Sequence, residues 1–179
     1  LQAIGDQWHK LHDKGRLDAE RLAQHKARLA PVDALAALAD CDLVIEAIVE
    51  RLDVKQRLFA DLEQIVGPDA VLATNTSSLS VTAIGAAMKR PQRLAGYHFF
   101  NPVPLMKVVE VIAGLKTDPQ VCRDLSDYAR LMGHTPVTAA DTPGFIVNHA
   151  GRGYGTEALR LLLRFAFARH VGVGRQRVA

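Results

Sequence analysis

DLVIEAI, residues 42–48, decides the fold class. Leu43, Val44 and Ile45 follow one another with no alternation of apolar and polar positions. A strand with one wet face alternates, whereas a run apolar on both faces is expected of a parallel strand covered by helices on each side. Downstream, DVKQRLFADLEQIVG (53–67) returns to helical spacing, with Val54, Leu58, Leu62 and Ile65 on one face and Gly67 as a stop signal. Upstream, Ile4, Trp8 and Leu11, then Leu17, Leu22 and Leu29, recur at helical spacing across the turn signal DKG. Residues 1–29 therefore predict two helices or a broken one, closed by Pro31, with a short third helix over 33–39.

The alternation continues toward the carboxyl end. AVLAT (70–74), RLAGYHFF (93–100), KVVEVIAG (107–114) and TPVTA (135–139) read as strands, and SVTAIGAAM (80–88) as a short helix. A better-defined helix starts at Asp118 as N-cap and Pro119 as first residue, carries Val121, Leu125, Ala129 and Met132 as its stripe, and stops at Gly133. Together these predict an α/β architecture with a largely parallel sheet and flanking helices, the direction of the fourth strand being open. From Gly144 a further helix is expected, loosened by Gly151, Gly153 and Gly155 and followed by a basic tail without a clear period.

Forty-nine per cent hydrophobic against 23% charged residues in 179 excludes a disordered chain. The net charge of +3 is spread without a basic block, which speaks against nucleic acid as a partner and weakly favours small anionic ligands. Two isolated cysteines, Cys41 and Cys122, fit a reducing compartment, and no Cys/His cluster points to a metal. No run is long enough for a membrane span and no signal peptide is recognisable, so the chain reads as cytoplasmic. It opens without Met, inside what reads as a helix.

Ligands of open α/β sheets bind outside the carboxyl ends of the strands. That rule gathers Glu46 and Glu50, then Asn75, Ser77 and Ser78, then His98 and Asn101, and finally Asp141 and Asn148; Glu110 lies within the fourth strand. His98, between aromatic residues, reads either as a core histidine or as a general base whose tautomer a carboxylate such as Glu110 fixes. Glu50 and Lys55 read as an exposed pair or as site residues, Asn101 as a turn residue before Pro102, Asn148 as a polar helix position, and Asp141 as an Asx turn or helix cap. Two chemistries remain open. Ser77, His98 and Glu110 could form a hydrolase triad, although the G-x-S-x-G elbow is absent; or His98 could take a hydroxyl proton while hydride leaves to a nicotinamide.

NTSSLS (75–80), HFFNPVPLMKVVEV (98–111) and DTPGFIVN (141–148), together with DLVIEAIVERLDVKQRLF (42–59), resemble the L-3-hydroxyacyl-CoA dehydrogenase family over roughly residues 1–160. NHAGRGYGTEALR (148–160) is similar to bacterial members, including those of phenylacetate-type degradation. The resemblance implies an incomplete Rossmann-like NAD domain over 1–143 and the start of a helical domain over 144–179. It implies His98 as catalytic base, Glu110 as its orienting carboxylate, and Ser77 and Asn148 beside the reacting group. Glu50, Lys55, Ser77 and Asn101 fall on the nicotinamide half of NAD; the substrate is an acyl-CoA and the assembly a homo-oligomer. The family's glycine-rich turn is not in this sequence, and after Arg160 the likeness ends. These departures carry a second expectation: strand 42–48 has an exposed edge, and the chain by itself is an inactive, self-associating piece that binds NAD weakly.

Overall fold

The computed structural model describes residues 2–142 and 144–146. The described residues through Leu38 form one compact unit and those from Ala39 a second. In the first, α1 (Gln2–Asp13) and α2 (Ala19–Ala27) are separate helices joined by a turn in which Gly15 has φ +67°. The turn is closed by His12 Nδ1 on the Leu17 carbonyl at 2.8 Å, and Asp18 caps α2 by accepting the Arg21 N–H at 2.7 Å. Two helices, not a broken one, is thus the outcome for residues 1–29. The short helix expected over 33–39 is a single 3-10 turn, Leu35–Leu38.

In the second unit, five strands lie in sequence order: β1 (Leu43–Glu46), β2 (Val71–Thr74), β3 (Leu94–Phe99), β4 (Val108–Ala113) and β5 (Thr135–Ala140). β1, β2 and β3 are mutually parallel, and β4 is parallel to β5. The open question of β4 is settled by its antiparallel pairing with β3, His98 opposite Glu110. The connection 100–107 is too short for the helical crossover that a parallel pair needs. α3 (Leu52–Ile65) bridges β1 and β2, α4 (Val81–Gly85) follows β2, and α5 (Pro119–Leu131) bridges β4 and β5. α5 starts where its cap residue dictates: Asp118 accepts the Gln120 N–H at 2.7 Å.

The alternation along β3 gives the sheet its two faces. Ala95 and Tyr97 point to α5 and join Val109, Val111, Val121, Leu125 and Ala129 in one buried cluster. The Tyr97 hydroxyl donates to the Leu125 carbonyl at 3.1 Å, and burial, with Tyr128 adding to it, pushes that phenol up to about 12. Gly96 and His98 face the other way. A Cβ on Gly96 would lie 2.9 Å from Ile112 Cβ and 3.0 Å from Val81 Cγ2, so α4 sits directly on the strand only because that side chain is missing. We expect Gly96→Ala to cost about 1–3 kcal/mol by overpacking, read as a fall in Tm of about 3–10 °C for a chain of this size. An unchanged Tm would mean that α4 yields freely.

One reading of the sequence needs correction here. The buried stripe of α3 is Lys55, Phe59 and Leu62, continued by the C-cap Val66; of the expected stripe Leu62 is buried, while Val54, Leu58 and Ile65 are half-buried. A lysine, read from the sequence as half of an exposed pair or as a site residue, therefore occupies a core position. The edge expectation agrees with the sheet order: β1 is terminal, and Ile45, Ile48 and Val49 are 41, 42 and 61% exposed. Among the described residues, no helix is long and apolar enough to cross a membrane.

Candidate active site

His98 and Glu110 meet because the antiparallel register of β3 and β4 sets them directly opposite each other. His98 Nδ1 lies 2.7 Å from Glu110 Oε2, with the carboxylate 1% and the imidazole side chain 10% exposed. A carboxylate only accepts, so Nδ1 carries the proton, which leaves Nε2 as the nitrogen that can take and return one. The second carboxylate oxygen, Oε1, accepts the N–H of Ile146 at 3.0 Å. The chain reaches that point by reversing after β5 through Gly144 at φ +85° and Phe145 at φ +47°. Phe145 and Phe100 flank the imidazole, with ring centroids 5.8 and 4.7 Å away.

The loop after β2 is tied down from below. Glu50 Oε1 accepts the Thr76 hydroxyl, the Ser77 N–H at 3.0 Å and the Ser78 N–H at 3.3 Å. Burial pushes the Glu50 carboxyl up, but these bonds and the nearby Lys55 ammonium outweigh it and hold the group below the usual carboxylate range. Lys55 Nζ sits 3.3 Å from Glu50 Oε2 and 2.6 Å from Glu46 Oε1. The lysine side chain is 1% exposed, which overturns the exposed-pair reading. Asn75 Oδ1 accepts the Phe99 N–H at 2.8 Å, stitching this loop to the end of β3 one residue past His98. The hydroxyls of the loop thus end a strand, as short polar residues do, and are held at the strand ends where His98 lies.

Ser77 is exposed at the top of this loop, and Asn101 is exposed where the chain leaves β3. Asn101 opens a turn in which the N–H groups of Leu105 and Met106 both reach the Pro102 carbonyl. Asn148 lies outside the described residues, as does most of the region expected to begin the helical domain. Asp141 does not join the cluster. Because β5 runs with β4 and against β3, its carboxyl end lies beside Ala113, whose neighbour Ala95 is at the start of β3, away from His98. There Asp141 accepts from Ser80 Oγ, the Val81 N–H and the Thr82 N–H, each at 2.8 Å, and caps α4. A mostly apolar cavity of about 220 Å³ lies at the same end, between Val81, Leu94 and Leu115, remote from the imidazole.

Glu50 and Asp141 both predict an acid limit to stability. Burial pushes the Asp141 carboxyl up, yet the Thr82, Ser80 and Val81 donors hold it below its ordinary value. A carboxyl depressed in the folded state contributes fully above its unfolded value of about 4 and loses that contribution as pH falls through the folded value. Urea midpoints should therefore decline below about pH 4. Asp141→Asn, which cannot ionise, should be less stable at neutral pH and flatter toward acid. Parallel acid limbs for the two proteins would contradict this.

Glu46 is the residue that sequence reasoning placed among the strand-end groups without giving it a role. Its side chain is fully buried and bonds Lys55, the Ile48 N–H at 2.6 Å and the Thr74 hydroxyl at 2.7 Å. The signal that could have found the pair was present: Lys55 is spaced 4 and 7 positions from Phe59 and Leu62, on a buried stripe, and a buried ammonium requires a carboxylate.

A model of the family described as "3-hydroxyacyl-CoA dehydrogenase, NAD binding domain" matches residues 1–142. The chain is 50% identical over 149 residues to the 3-hydroxyadipyl-CoA dehydrogenase of Escherichia coli K12, covering 83% of this chain and 31% of that one. Against human mitochondrial hydroxyacyl-coenzyme A dehydrogenase it is 47% identical over 132 residues, 74% of this chain and 42% of the relative. A crystal structure of 3-hydroxybutyryl-CoA dehydrogenase from E. coli K12 superposes with a TM-score of 0.83 at 47% identity, over 91% of this chain and 34% of that one. The chain therefore spans about a third to under a half of these relatives. The strand-end groups present polar donors and a charge of the kind a nicotinamide half can use: Ser77 and Asn101 are exposed, the Glu50 carboxylate is partly exposed, and Asn75 ties their loop to the residue after His98. A glycine-rich turn able to take a pyrophosphate is not among these residues. By its sheet, its paired His98 and Glu110 and the match over most of its length, the chain belongs to the 3-hydroxyacyl-CoA dehydrogenase family through its NAD-binding domain.

Proposed function

We propose that the protein carrying this chain oxidises an (S)-3-hydroxyacyl-CoA to the 3-oxoacyl-CoA, and the observation that carries the reading is the buried His98–Glu110 pair. NAD, when bound, supplies the hydride acceptor. His98 Nε2 takes the hydroxyl proton as the carbon loses hydride. Glu110, on the Nδ1–H, fixes the tautomer and balances the imidazolium that forms. Ser77 and Asn148 hold the substrate oxygen, while Glu50, Lys55, Ser77 and Asn101 serve the nicotinamide half. Glu50 presents its exposed edge there, with Lys55 behind it. Membership of the family displaces the hydrolase reading of Ser77, His98 and Glu110.

Residues 1–143 form the cofactor side of the protein and 144–179 begin its helical domain, and the site of action is the cytoplasm, in keeping with two free cysteines. Acetoacetyl-CoA and NADH supplied to the protein should give loss of NADH absorbance with formation of the (S)-alcohol. A folded protein that leaves NADH unchanged at saturating substrate refutes the assignment. The same reading takes an acyl-CoA as the substrate and a homo-oligomer as the assembly.

A further inference from the structure

We infer that Glu46 is a positioning residue for the Ser77 loop: by neutralising buried Lys55, it leaves one oxygen of Glu50 to hold the Ser77 and Ser78 amides. The role in turnover rests on the reading of Ser77 given above; the role in holding the loop does not. The chain of contacts is short. Glu46 Oε1 takes Lys55 Nζ at 2.6 Å, while Glu50 Oε2 stands farther off at 3.3 Å. Glu50 is thereby shared, Oε2 toward the lysine and Oε1 toward Thr76, Ser77 and Ser78. Glu46 is itself fixed by the Ile48 N–H and the Thr74 hydroxyl, so it cannot swing toward the loop.

The division of labour depends on charge. Two carboxylates face one ammonium, and the more buried of them, at 0% side-chain exposure, makes the shorter contact. With Gln at position 46 the shape and hydrogen-bonding capacity remain but the negative charge is gone. Lys55, 1% exposed, is then balanced by the charge of Glu50 alone. Glu50 closes on the lysine and releases the loop amides. Removing the lysine charge as well cancels the pull, so Glu50 returns to the loop.

The test is amide hydrogen exchange by NMR on the full chain, comparing wild type, Glu46→Gln and the double variant Glu46→Gln/Lys55→Met. Ser77 and Ser78 should exchange at least about tenfold faster in Glu46→Gln, with Tyr97 in β3 unchanged, and return to within about twofold of wild type in the double variant. Restoration by deleting a second charge is a result that a purely space-filling role for Glu46 does not produce. Unchanged loop amides in Glu46→Gln, an equal rise at Tyr97, or failure of the double variant to restore protection overturns the inference. If Glu46→Gln alone does not fold, the double variant decides: a folded protein with protected loop amides supports the role, and one that is unfolded or unprotected there refutes it. Turnover of acetoacetyl-CoA by Glu46→Gln in the protein carrying this chain should follow the amides and fall; the double variant is read by its amides alone, because Lys55 is itself assigned to the cofactor side. Amides that respond while turnover does not would leave the positioning intact and refute the role of Ser77 in the reaction.

Discussion

In the complete protein that carries this chain, His98→Gln should lower turnover by roughly two to four powers of ten, the usual range for losing a positioned acid or base, while fold and cofactor affinity stay close to wild type. Glutamine fills similar space but offers no nitrogen that can take and return a proton. The side chain stands between Phe100 and Phe145 rather than at the centre of the α5 cluster, so the substitution leaves that core alone. Glu110→Gln should act in the same direction through the ring: an amide can still accept from Nδ1–H but brings no charge to balance the imidazolium. Steady-state kinetics beside thermal melts separate the two meanings of a buried histidine. A His98→Gln protein that melts far lower yet turns over normally per folded molecule would make the residue structural.

Lys55→Met costs about 3–5 kcal/mol, because it leaves Glu46 buried without its cation. That is a large share of the roughly 5–15 kcal/mol that hold an ordinary domain together. The contrast is Arg57 on the outer side of the same helix, whose side chain is 79% exposed and 3.8 Å from Asp53. Arg57→Met should change stability by under about 1 kcal/mol, as exposed pairs do. Urea unfolding of both variants compares them directly. A Lys55→Met midpoint as close to wild type as that of Arg57→Met would show that Glu46 finds another partner or is content without one.

Local signals in the sequence settle which elements exist. The unbroken apolar run at Leu43–Ile45, the cap and first-residue pair Asp118 and Pro119, and the stop at Gly133 each act over a few residues. Their physics, backbone geometry and capping bonds, does not wait for the rest of the chain. The candidate site residues His98, Glu110, Ser77, Glu50 and Asn101 were legible as chemistry for the same reason, since side-chain type limits what each can do. What they do together was not legible. The pairing of His98 with Glu110 depends on an antiparallel register, and residues 12 apart meet only because the 100–107 connection folds β4 back onto β3. Reversal of β4 and β5 also carries Asp141 to the other end of the sheet, where it caps α4 instead of serving the strand ends near His98. Lys55 looked like a surface charge because lysine usually is one. Only the packing of α3 against the sheet turned it inward and required Glu46 to meet it. Composition and local pattern determined the elements and the chemical vocabulary; the tertiary structure decided which charges are shut away from water, and there an unpaired charge costs several kcal/mol, enough to choose its partner.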